Sequence, residues 1–144
     1  MTRLSLLLLL LVSSMAQSDL LITEASVRLL PPSLPNTSAY FTIKNSGEKE
    51  RVLIGASTPI AALAELHNHI MLNDMMRMEK QDSITIGAGE TITFAPGGLH
   101  MMIFTLKTPL QNGQDVKLAL HSKDGEIHRF SATVGEATSS THHH

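Results

Sequence analysis

Beyond residue 17 the sequence never holds one apolar pattern for long. Runs of strand length are cut by turn signals throughout, and this rhythm constrains the fold more than any single motif. Residues 20–30 (LLITEASVRLL), 39–45 (AYFTIKN) and 51–57 (RVLIGAS) read as strands, with the stiff loop PPSLPNTS and the turn NSGEKE between them. Residues 58–70 are rich in Ala and Leu, but Pro59 and the short context favour an extended second half, AELHNHI. Asn73 and Asp74 supply a turn, after which MRME returns as the second arm of a hairpin. SITI and TITF alternate cleanly around GAGE and predict another hairpin. Pro96-Gly97-Gly98 is a turn, and MMIFTL, VKLALHS and IHRFSATV complete the set. About nine short strands in one domain predict an all-β fold, either a two-sheet sandwich or a Greek-key barrel.

The organisation follows from the two ends. Arg3, the apolar run from Leu4 to Val12 and the small-residue pattern Ser14-Met15-Ala16 predict a secretory signal over residues 1–16. The run is much shorter than the roughly 20 residues a membrane span needs, so no stable membrane insertion is expected after cleavage. Residues 17–134 are long enough for one domain with a real core, and 135–144 form a polar tail expected to be disordered. A net charge of −2 without a basic stripe argues against nucleic acid and anionic membrane partners. The chain has no cysteine, so packing alone must stabilise it. The same absence removes thiolate nucleophiles, thiolate zinc sites and the cysteine ligand of an electron-transfer blue-copper centre. No nucleophile elbow or usefully spaced carboxylate pair argues for an enzyme.

Methionine is the outlier. Of the eight, Met1 and Met15 belong to the leader, and the other six all fall between Met71 and Met102. Gap-filling methionines would be scattered through the core. Four residues draw the eye: His67, then Met78 after ten intervening residues, His100 after twenty-one more, and Met102 after one. On a strand, His100 and Met102 share a face while Met101 points to the core. His67 and Met78 lie on the two arms of the hairpin that turns at Asn73 and Asp74. Two imidazoles and two thioethers make a soft, neutral set suited to Cu(I), whereas zinc, magnesium and calcium prefer other donors. The bland alternative stands beside it, with the histidines as hydrogen-bonded strand residues and the methionines as core filler. His69, Met71, Met75 and Met76 are extra candidates near the same hairpin.

The His67, Met78, His100 and Met102 spacing resembles the signature of the PCuAC family of periplasmic copper chaperones. AYFTIKN, LIGASTP, AELHNH, MMRM and APGGLHMMIFTLKTPLQNG resemble that family's successive segments, from about residue 21 to 134. The resemblance implies a cupredoxin-like β-sandwich or barrel with copper at one exposed end. It implies a periplasmic carrier, not an enzyme, that holds Cu(I) through His67, Met78, His100 and Met102. It also implies delivery to the copper subunit of cytochrome c oxidase, alone or with a Sco-type assembly protein. A storage or resistance protein binding both Cu(I) and Cu(II) is the alternative, with His142 to His144 as the Cu(II) donors. His69 departs from the pattern, since many relatives carry methionine there.

Overall fold

A computed structural model describes residues 19–135. The expectations for the leader and for residues 136–144, including His142 to His144, lie outside the described residues. Ten strands run in chain order: β1 (Leu20–Arg28), β2 (Thr37–Asn45), β3 (Arg51–Ser57), β4 (Ala61–Leu72), β5 (Met75–Lys80), β6 (Ile84–Ile86), β7 (Thr91–Phe94), β8 (Leu99–Leu106), β9 (Asp115–Ser122) and β10 (Ile127–Gly135). Hydrogen bonding follows the order β5-β4-β8-β2-β1-β10-β9-β3-β6, with β7 paired to β2. A further pairing of β4 with β3 closes the middle seven strands into a barrel. Of the two architectures compatible with the strand rhythm, this is the barrel.

Alternation explains the core. On β2, Ala39, Phe41 and Ile43 point inward, and on β8 Met101 and Ile103 do the same. Phe41 stacks on Phe94 at 4.5 Å between ring centroids and meets Phe130 edge-on at 5.0 Å. Val27, Leu53, Leu66, Leu118, Leu120 and Val134 fill the remaining interior. Burying each such side chain contributes roughly 1.5–3 kcal/mol. Met101 is fully buried, so of the two adjacent methionines on β8 it is the one used for packing.

Two expectations need correction. Residues 83–94 do not form a hairpin with themselves: β6 pairs with β3, and β7 pairs with β2. Asn45 is the reason. Its buried side-chain amide donates to the carbonyls of Lys49 at 2.8 Å and Ile86 at 3.0 Å. Its backbone exchanges hydrogen bonds with Gly89 and Glu90. The connecting loop is thereby tied to the end of β2, and the two short strands part to opposite neighbours. Gly135, placed with the tail by its sequence, instead pairs with Arg28 and ends β10.

The β4–β5 hairpin positions the candidate site. Asn73 and Asp74 both adopt positive φ, at 50° and 61°. This is the primed turn whose twist matches that of the strands it joins. β4 is the longest strand at 12 residues. Its first half belongs to the barrel wall, and its second half is flanked by β5, all six residues of which are exposed.

Candidate metal centre

Register assembles the cluster. His67 on β4 lies directly opposite His100 on β8, and Glu65 lies opposite Met102. On the other side of β4, His69 faces Met78 and His67 faces Lys80. Alternate residues share a strand face. Glu65, His67 and His69 of β4 therefore emerge on the same side as His100, Met102 and Met78. The core-facing residues between them, Leu66 and Met101, are buried on the other side. Met78 is thus one pair removed from direct opposition to His67, and its cross-strand partner is His69.

His100 is the centre of this group. It is 2 % exposed, covered by the hairpin arm. Its ring centroid is 4.8 Å from that of His69 and 5.8 Å from that of His67. Its Nδ1 lies 3.0 Å from the Gly98 carbonyl, and its Nε2 lies 3.0 Å from the Met78 sulfur. A carbonyl only accepts, so Nδ1 carries the proton and donates. A neutral imidazole has a single N–H, which leaves the Nε2 lone pair aimed at the thioether. Burial holds His100 below the ordinary histidine range; the Gly98 carbonyl pulls the other way, and His69 and His67 push further down. The ring is consequently neutral, and two electron-pair donors face one another. Donation from the far ring nitrogen to a backbone carbonyl is also how metal-binding imidazoles are oriented.

The surrounding groups have unmet needs. Both ring nitrogens of His67 and Nδ1 of His69 are buried without a hydrogen-bond partner. Leaving a buried polar atom unpaired costs about 1–3 kcal/mol. Glu65 Oε2 lies 3.7 Å from His67 Nε2 and 3.5 Å from Lys80 Nζ. Glu65 was not among the residues singled out in the sequence. The signal that could have found it is the alternation Glu65, His67, His69 along one strand. Met102 shares the face, but its sulfur accepts a hydrogen bond from Ser38 Oγ at 3.6 Å. The four sequence-selected residues therefore fall on one face of three adjacent strands. His100 and Met78 touch, His67 is next to them, and Met102 is turned towards β2. Among the described residues, no three His, Cys, Asp or Glu side chains form a group able to hold a metal. Thioether sulfur is the other donor on this face, and it favours a soft ion.

A closed barrel with a projecting hairpin and a His/Met face defines a PCuAC-type domain. The copper-bound PCuAC domain of PmoF2 shares the fold with a TM-score of 0.68 at 18 % identity, over 82 % of this chain and 93 % of that domain. DR1885 of Deinococcus radiodurans, solved in solution without metal, is 32 % identical with a TM-score of 0.66, over 86 % of this chain and 83 % of that one. Its Cu(I) form matches at 31 % identity with a TM-score of 0.61, over 88 % of this chain and 83 % of that one. In sequence, Lxx21020 of Leifsonia xyli subsp. xyli (strain CTCB07) is 33 % identical over 99 residues, which is 68 % of this chain and 60 % of that protein. The chain belongs to the LpqE-like family, whose model matches residues 20–134, and its cupredoxin-like barrel is the PCuAC fold.

Proposed function

We propose that this protein is a copper carrier that holds Cu(I) through His67, Met78, His100 and Met102. The observation that carries the reading is the His100–Met78 contact, in which a buried neutral imidazole turns its lone pair onto a thioether at 3.0 Å. Only a cation or a proton relieves two such donors, and burial disfavours the proton. A soft monovalent ion suits this donor set; the His67 nitrogens, which have no hydrogen-bond partner, and the Met102 thioether complete it. Copper-bound relatives support the same choice of cargo.

Neutral ligands suit a carrier rather than a catalyst. A thioether or a neutral imidazole need not take up a proton when the ion leaves. A partner's thiolates or imidazoles can replace them one at a time, so the ion passes through shared coordination and is never free. The partially exposed Met78 thioether is the natural first ligand to yield. We place the carrier outside the cytoplasm, in the periplasm, on the reading of residues 1–16 as an export signal and the lipoprotein names of its relatives. None of these 144 residues is a cysteine that could bear a thioether-linked lipid. The acceptors we propose are the copper subunit of cytochrome c oxidase or a Sco-type assembly protein.

The test is Cu(I) affinity measured against a chromogenic chelator. Replacing Met78 and Met102 together with Leu should lower affinity on the order of 100-fold, since both soft donors are removed while volume is kept. Unchanged affinity would overturn the assignment.

A further inference from the structure

His69 is not one of the four proposed ligands, yet it is built into the same cluster. It faces Met78 directly across the β4–β5 pairing. Its ring lies over that of His100 at 4.8 Å with 32° between planes, nearer than His67. The Gly98 carbonyl accepts from the His69 backbone N–H at 3.2 Å and from His100 Nδ1 at 3.0 Å. One carbonyl thus locks the backbone of the first residue to the ring of the second. His69 Nδ1 is buried and has no hydrogen-bond partner. A packing role does not need that nitrogen, and an apolar side chain would fill the space without the desolvation cost. Met102, meanwhile, gives its sulfur to Ser38. The donor best placed to join the His100–Met78 pair is therefore His69.

We infer that His69 is a copper-binding residue of this chain, forming with Met78 and His100 a second donor set that shares two members with the first. The inference rests on the carrier reading above and extends it. An ion held by His100 and Met78 can exchange a Met102 thioether for a His69 imidazole without leaving the protein. The two sets differ in chemistry. Thioether favours the monovalent ion, whereas imidazole serves both oxidation states. Imidazole-rich coordination therefore lets the same site accept Cu(II) as well as Cu(I), with a change of ligand in place of a change of site.

The experiment uses the full chain and silver(I), a soft monovalent ion without redox chemistry, followed by the imidazole nitrogen and methionine methyl resonances. At one equivalent, the His69 and His100 nitrogens and the Met78 methyl should shift together. His69→Leu should weaken silver binding by about tenfold or more. His69→Met should restore silver binding to within about threefold while leaving Cu(II) binding at least about tenfold weaker, because a thioether replaces an imidazole. An unmoved His69 ring beside shifting His100 and Met78 signals overturns the inference and leaves the carrier reading intact. If no histidine or methionine signal moves, the carrier reading falls and this inference with it. The resonances of the unaltered chain decide between these outcomes even if His69→Leu folds poorly.

Discussion

Burial sets the charge of this protein's interior histidines, and His128 lets the effect be measured away from the proposed metal. Its pKa is lowered first by burial and then by Arg51, with Glu126 and Asp124 pulling upward. Ser122 Oγ lies 2.7 Å from its Nε2. Above the usual histidine value of about 6.5 the ring is neutral in both folded and unfolded chains, so it adds no pH dependence. As pH falls through that value the unfolded chain takes up the proton first, and stability declines until the lower folded pKa is reached. Urea midpoints at pH 7.5 and 5.5 should therefore fall with acidity for the metal-free protein, and the fall should be smaller in His128→Gln. A second residue to test is Thr105, a β-branched side chain at φ 60°. That conformation costs an L-residue roughly 1–2 kcal/mol, so Thr105→Gly should raise stability by up to about 1 kcal/mol after the entropy cost of glycine. The Asn36 side chain accepts from the Thr105 backbone N–H, which glycine keeps, so a loss of stability would mean that the threonine side chain contributes more than its backbone conformation costs.

At the level of elements, the β4–β5 hairpin carries the site and its turn carries the hairpin. Asp74→Gly suits the positive φ and should leave silver affinity within about twofold, whereas Asp74→Val should cost about 1 kcal/mol and weaken binding by displacing Met78. Isothermal titration with the two variants checks the pair. The hairpin was legible in advance because Asn73-Asp74 is a turn signal in its own right and the flanking residues have strand character. The inward Met101 beside the outward His100 and Met102 was legible for the same reason: a strand has a fixed period. Partners were not legible. Alternation marks SITI and TITF as strands, but nothing in them reveals that Asn45, about forty residues back, pulls their loop away. The register that sets Met78 against His69 rather than His67 depends on the turn length, and it decided which imidazole and which sulfur met. Glu65 is marked in the sequence only by its alternation with His67 and His69; its place opposite Met102 needs the β4–β8 register.

The whole molecule is a barrel with no disulfide, closed where β3 meets β4 by the single register pair Ala56 and Ala64. Its β1–β10 contact is parallel and joins the two ends of the described chain. Ions that bind only the folded state must stabilise this barrel by mass action. At a free silver or Cu(I) level 100 times the dissociation constant, the gain is about 2.7 kcal/mol, which should raise the melting temperature on the order of 10 °C. Differential scanning calorimetry of the loaded and metal-free chain reads the shift, and its absence would argue against native-state binding. The projecting hairpin also leaves one strand edge free. β5 ends the hydrogen-bonding path with every residue exposed, and three of its six side chains are Met75, Met76 and Met78. An edge strand so rich in apolar sulfur invites a second molecule to zip alongside it. Arg77, Glu79 and Lys80 line the same strand with charge that such stacking would have to strip of water. Solubility at high concentration is thus guarded within six residues of the methionines, and neutralising those three charges should turn a monodisperse solution into aggregates.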